Sequence, residues 1–145
     1  MNGPDADVYM AEDQSKINEY VRDLLSSSGK LDSKLLDKIY LRLRRHIFIE
    51  ETILFPTLPE STRDDVEYLE KEHGKILASS RQMKDSLDDK DKIDRLSDLY
   101  SLLLEHNSYE ESFVYDYFQD KDAEIIRNTY LPPRKWESLY ERTYI

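Results

Sequence analysis

At 145 residues the chain has the size of one domain, and its make-up, 36% charged, 39% hydrophobic and only 3 glycines, suits helical surfaces around apolar stripes better than a turn-rich β fold. A formal charge of −10 argues against a nucleic-acid backbone or an anionic membrane as the main partner. The chain has no cysteine, hence no disulfide framework and no thiolate ligand or nucleophile; its start, Met1 to Met10, is polar and acidic, and no stretch reaches transmembrane length, so a cytoplasmic location is expected.

Met10, Ile17, Val21 and Leu24 recur at helical spacing and the run stops at Ser26, Ser27, Ser28 and Gly29, which predicts a first helix over residues 11–27. Asp32 or Ser33 can cap a second, whose stripe runs Leu36, Ile39, Leu43, His46, Glu50 and Ile53/Leu54 until Pro56 and Pro59 forbid continuation. Ser61 or Thr62 opens a third, with Asp64 and Asp65 in its first turn and a stripe of Val66, Leu69, His73, Ile76, Ser80, Met83 and Leu87. The run Asp88 to Lys92 reads as a turn before a fourth stripe, Ile93, Leu96, Leu99, Leu103, His106, Glu110, Phe113/Val114 and Tyr117. Residues 122–145, with a short helical pattern at Ile125 and Ile126, then Leu131, Pro132, Pro133 and the aromatics Trp136, Tyr140 and Tyr144, form an expected extension packed on the bundle. The fold class that follows is all-α: an up-down-up-down four-helix bundle over residues 11–121 with a C-terminal helical extension over 122–145.

All three histidines of the chain fall on these stripes, on three different helices, and two are followed four residues later by glutamate. His46/Glu50 recurs as His106/Glu110, 60 residues on, so two helical hairpins related by a pseudo-twofold would bring them together. An i,i+4 pair puts imidazole and carboxylate one turn apart on the same face. Two carboxylates converging in a low-dielectric interior repel each other and lose several kcal/mol each in solvation, as an order of magnitude, unless cations neutralise them. A pair of metal ions does so, with Glu50 and Glu110 bridging and His46, His73 and His106 terminal, a donor set that suits iron, manganese or zinc.

These residues, as His46-Ile-Phe-Ile-Glu50-Glu51 leading to Leu54-Phe55-Pro56, then Glu72-His73 and His106-Asn-Ser-Tyr-Glu110-Glu111, resemble hemerythrin and the hemerythrin-like HHE cation-binding proteins over roughly residues 11–120. The resemblance implies a four-helix bundle with a non-haem di-iron centre, carboxylate-bridged and ligated by His46, Glu50, His73, His106 and Glu110, that binds O2 or senses oxygen, NO or iron; the leading reading is a site that binds or senses a small diatomic ligand or an oxidant. Two rival readings are a di-iron oxidase or peroxidase-like enzyme, assisted by Tyr20 or Tyr109, and a metal-stabilised interaction module. The sequence departs from the family at Tyr20, where the first helix usually gives a histidine, and at Leu77, where the oxygen carriers have another. Tyr20 is either a core aromatic or a cofactor-binding residue: a phenolate ligand, a hydrogen-bond donor to a bound ligand, or a gap that leaves one metal open. Glu51 and Glu111 are expected as solvated flank residues, and Arg42, Arg44 and Arg45 as solvated ion-pair partners.

Overall fold

The computed structural model describes residues 5–27, 31–85, 88–128 and 132–145; Ser28, Gly29, Leu87 and Leu131 of the sequence reading lie outside them. Helix α1, Ala6–Ser26, starts well before residue 11 because the extra turns bury Ala6 and Met10 completely. Helix α2, Ser33–Ile49, is capped by Asp32, whose Oδ1 accepts from the Lys34 and Leu35 amides at 3.0 and 3.2 Å. Helix α3, Arg63–Lys84, and helix α4, Asp89–Phe113, complete the four. The acidic run after Asp88 is helix rather than turn: Asp88 Oδ1 accepts from the Asp91 amide at 2.8 Å, and Asp89 and Asp91 sit in the first turn, where the helix dipole favours them. Helix α5, Asp120–Arg127, lies against α1.

Helix α1 packs on α2 and α4, and α3 packs on α4 and α2, which is the cyclic neighbour pattern of an up-down-up-down bundle. No strand occurs among the described residues, and none of their helices is long and apolar enough to cross a membrane.

The interior is two apolar clusters with a polar layer between them. Ile17, Leu43, Ile47, Ile76, Leu77 and Leu103 belong to the first cluster; Met10, Ile49, Leu54, Phe55, Leu69 and Val114 belong to the second. On each helix the residues that separate the two clusters are polar and buried: Asp13 and Gln14 on α1, His46 at the end of α2, Glu72 and His73 on α3, His106 and Glu110 on α4. Four independent stripes therefore break at the same height.

Two irregularities shape that layer. After Ile49 the chain makes a π-helical turn, Glu50–Leu54, in which the Phe55 amide bonds the Glu50 carbonyl. Pro56 has no N–H to restart the α ladder, and the chain leaves through short 3₁₀ turns, Phe55–Thr57 and Glu60–Thr62. At the far end, α4 stops at Phe113, Val114 takes φ −127°, and a 3₁₀ turn over Tyr115–Tyr117 follows. The fourth stripe does not run on through Phe113 and Tyr117, which are 50% and 47% exposed; Tyr115 turns inward instead, at 3%.

The tail closes over α2 and α3. Its last 3₁₀ turn, Glu141–Tyr144, lies against α3, where a Cβ on Gly74 would fall 2.7 Å from the Tyr140 carbonyl carbon and oxygen, so only glycine admits this approach. Arg81 Nη1 meets the buried Glu141 at 2.6 Å. The arginines of α2 are not simply solvated: Arg44 donates to the carbonyls of Pro133, Arg134 and Trp136, Arg45 donates to the Tyr9 hydroxyl, and Arg42 pairs with buried Asp13 at 3.0 Å.

Candidate metal centre

Glu50 and Glu110 are fully buried and face each other across the bundle; with His73 and His106 they present one ligand atom each within 4.8 Å of one another. The imidazoles point their Nε2 atoms inward. His73 Nε2 lies 3.2 Å from Glu50 Oε1 and 3.6 Å from Glu110 Oε1, His106 Nε2 touches Glu110 Oε1, and His46 Nε2 stands 3.5 Å from Glu50 Oε1 on the other side. All five ligand candidates from the sequence thus converge.

Each outward Nδ1 meets a second carboxylate: His46 with Asp13 at 2.7 Å, His73 with Glu51 at 2.8 Å, His106 with Glu72 at 3.0 Å. These outer groups are anchored in turn, Asp13 by Arg42, Glu72 by the Tyr68 hydroxyl at 3.1 Å, and Glu51 by the Ser138 hydroxyl at 2.7 Å and the Leu139 amide at 3.1 Å. A carboxylate on Nδ1–H fixes the tautomer and leaves the Nε2 lone pair for a metal. Glu51 is therefore buried and structural, not a solvated flank, because the π turn underwinds the chain and brings Glu50 and Glu51 both inward. Glu111 is exposed, in keeping with an α-helical phase.

Tyr20 is not part of this layer. Its ring is half-exposed and faced by Lys16, Lys38 and Arg42 at 5.2, 4.6 and 5.6 Å. The inward stripe of α1 is Met10, Asp13, Gln14, Ile17, Val21 and Leu24, and a residue six beyond Gln14 has rotated roughly two-thirds of a turn away from it at 3.6 residues per turn. What α1 brings to the layer is Gln14, whose Nε2 donates to the Tyr115 hydroxyl at 2.5 Å; that hydroxyl lies 3.4 Å from His46 Nε2. Tyr109, the other tyrosine considered, bonds Asp65 at 2.6 Å.

The electrostatics follow from burial opposed by pairing. Burial and then the Glu110 charge raise the Glu50 carboxyl to about 7, whereas Glu110, despite burial, is held well below the usual range by His106, Glu50 and His73. Burial alone would lower the imidazoles, but Glu50, Asp13 and Glu110 leave His46 at about 9, Glu110, Glu50 and Glu51 raise His73 well above its ordinary value, and Glu110 and Glu72 raise His106. Burial raises the Asp13 carboxyl, yet His46 and Arg42 bring it down to about 2. The Tyr115 phenol is pushed well above its usual value by burial, then by Glu110 and Glu50, so it keeps its proton while no cation is bound.

Both oxygens of Glu50, both of Glu110, and His73 Nε2 are buried without a hydrogen-bond partner among the described residues. With Gln14 Oε1, likewise buried and unpartnered in this layer, these inward atoms could hold a cation. A family model for the hemerythrin HHE cation-binding domain matches residues 8–118. The chain belongs to this family. No curated protein and no solved structure gave a match. The HHE match ends at Phe118, so Ser138 and Leu139, which anchor Glu51, come from chain beyond the matched part.

Proposed function

We propose that this HHE domain holds two non-haem iron ions, which manganese or zinc can replace, and uses them in the cytoplasm to bind or sense a small diatomic ligand, O2 or NO, or an oxidant. The observation that carries the reading is the pair of fully buried glutamates whose four oxygens have no hydrogen-bond partner among the described residues, inside a shell of three oriented imidazoles. An iron pair would supply redox electrons and an open position for the ligand. Glu50 and Glu110 would bridge the ions, and His46, His73 and His106 would hold them from outside, oriented by Asp13, Glu51 and Glu72.

The surrounding residues set size and dryness. Phe55 stacks parallel on His73 at 5.7 Å and closes the site toward a surface cavity of about 500 Å³ bordered by Glu51, Val66, Glu70 and Tyr140. Free space touching both His46 and His106 is about 10 Å³, lined by Ile17, Leu43, Ile76 and Leu103. That is at the lower limit of the space one water needs and favours ligands without bulk.

Anaerobic loading with Fe(II), followed by metal analysis and visible spectra before and after air, tests the proposal. The expected result is close to two irons per chain and a spectrum that changes with O2. Absence of iron uptake, with His106→Ala folding as stably as the parent, would overturn it.

A further inference from the structure

The pseudo-twofold of the bundle relates α1 to α3 as well as α2 to α4. Asp13 stands on His46 as Glu72 stands on His106, and each pair lies 59 or 60 residues from its counterpart. By the same relation Gln14 occupies the place that His73 fills on the other half, 59 residues on. One half of the layer therefore has two imidazoles, His73 and His106, beside Glu50 and Glu110; the other has His46 alone. A neutral amide is a poor substitute for imidazole as a ligand to a transition metal. Gln14 Oε1 is buried without a partner among the described residues, while its Nε2 donates to the hydroxyl oxygen of Tyr115, which is 3.4 Å from His46 Nε2.

Resting on the two-metal reading above, we infer that Tyr115 is a metal ligand, its phenolic oxygen supplying to the ion on the His46 side the strong donor that the neutral Gln14 amide of α1 does not. On binding, the phenol O–H bond breaks, the proton leaves to solvent, and a metal–oxygen bond forms, with no change in oxidation state. Three anionic oxygen ligands, Glu50, Glu110 and Tyr115, then face two cations. The Gln14 amide continues to donate to the same oxygen, a bond that strengthens when the oxygen becomes anionic. A purely structural tyrosine would need no more than its ring contact with Phe118 at 4.9 Å in the second apolar cluster and one partner for its hydroxyl. The break at Val114 instead turns this one residue of the segment inward and sets its oxygen beside the inner nitrogen of a ligand histidine.

The test is the full chain loaded with ferric iron, examined by visible absorption and by resonance Raman with ring-deuterated tyrosine. The expected result is a phenolate-to-iron charge-transfer band with enhanced tyrosine ring modes that shift on deuteration, lost in Tyr115→Phe and retained in Tyr20→Phe. The Raman measurement on the unaltered protein stands even if Tyr115→Phe does not fold. Iron bound at two per chain with no such band, or a band that survives in folded Tyr115→Phe or disappears in Tyr20→Phe, overturns the assignment while leaving the metal reading intact. No iron bound at all overturns both.

Discussion

Metal loading should expel protons from the layer, and His46 and Glu50 set the least number expected. In the cation-free protein each imidazole has its Nδ1–H on an outer carboxylate and its Nε2 toward Glu50 or Glu110, so a second proton on Nε2 occupies the direction a metal needs. With its pKa at about 9, His46 is expected to be protonated near pH 7, His73 and His106 are shifted in the same direction, and Glu50 at about 7 carries half a proton more. Loading at that pH should therefore release at least the proton of His46 and a fraction from Glu50. For His46 alone the competition amounts to about two pH units, roughly 2.7 kcal/mol or a 100-fold weaker apparent affinity near pH 7 than above pH 9. Affinity accordingly rises with pH across that interval. Calorimetric titration of Zn(II) or Fe(II) in two buffers of different ionisation enthalpy counts the protons directly. Release of fewer than one proton per chain would refute the reasoning, because the imidazoles would then have been neutral beforehand.

Stability of the cation-free protein should run the other way. His46 has a folded pKa above its unfolded value of 6.5, so its contribution is fully present below about 6.5 and is lost as pH rises through about 9, a loss of about 3 kcal/mol from this buried group; thermal melts at pH 6 and pH 9 should separate in the apo form and converge once metal is bound. At the acid end Asp13, held at about 2, contributes stability above its unfolded value of 3.8 that disappears as pH falls through about 2, so Asp13→Asn should lower the melting temperature at pH 6 and make little difference at pH 2. Glu50→Gln removes one of two facing carboxylates and is expected to raise apo stability above pH 7 by about 1–3 kcal/mol while abolishing binding of two ions, as read by urea melts beside metal analysis. Ser138→Ala leaves buried Glu51 one donor short, for a cost of about 1–3 kcal/mol and a 10–100-fold weaker metal affinity, and unchanged affinity would deny the tail any role at His73.

The main ligand candidates were legible because chemistry interrupted a pattern. His46, Glu50, His73, His106 and Glu110 each sit where helical periodicity demands an apolar side chain, and the sequence contains no other histidine to confuse the reading. The α1 contribution was legible too, but taken from the wrong point: Ile17 and Leu24 allow Tyr20 at the edge of the stripe, whereas Met10 to Ile17 brackets Asp13 and Gln14 at its centre. Carrying the 60-residue spacing of α2 and α4 back from His73 on α3 lands on Asp13, next to Gln14, and not on Tyr20. Glu51 and Tyr115 could not be found that way. Each depends on a departure from the α-helix, the π turn at Glu50–Leu54 and the break at Val114, and periodicity extended through either point assigns the neighbouring residue to the wrong face.

These departures also explain why the three imidazoles are not held alike. His46 and His106 are oriented from within the bundle, by Asp13 with Arg42 and by Glu72 with Tyr68, so their settings follow directly from helix packing. His73 is oriented by Glu51, and two of that carboxylate's hydrogen bonds come from Ser138 and Leu139 in the tail. The tail is seated in turn by Gly74, one residue after His73, and by Arg81 about two turns further along α3. A perturbation of the tail therefore reaches His73 by two routes, through Glu51 and through the backbone at Gly74, whereas His46 and His106 retain every partner they have. Gly74→Ala, which forces the Tyr140 backbone away, should accordingly weaken the His73/His106 side of the centre by loosening one ligand, and leave the His46 side, with Gln14 and Tyr115, in place.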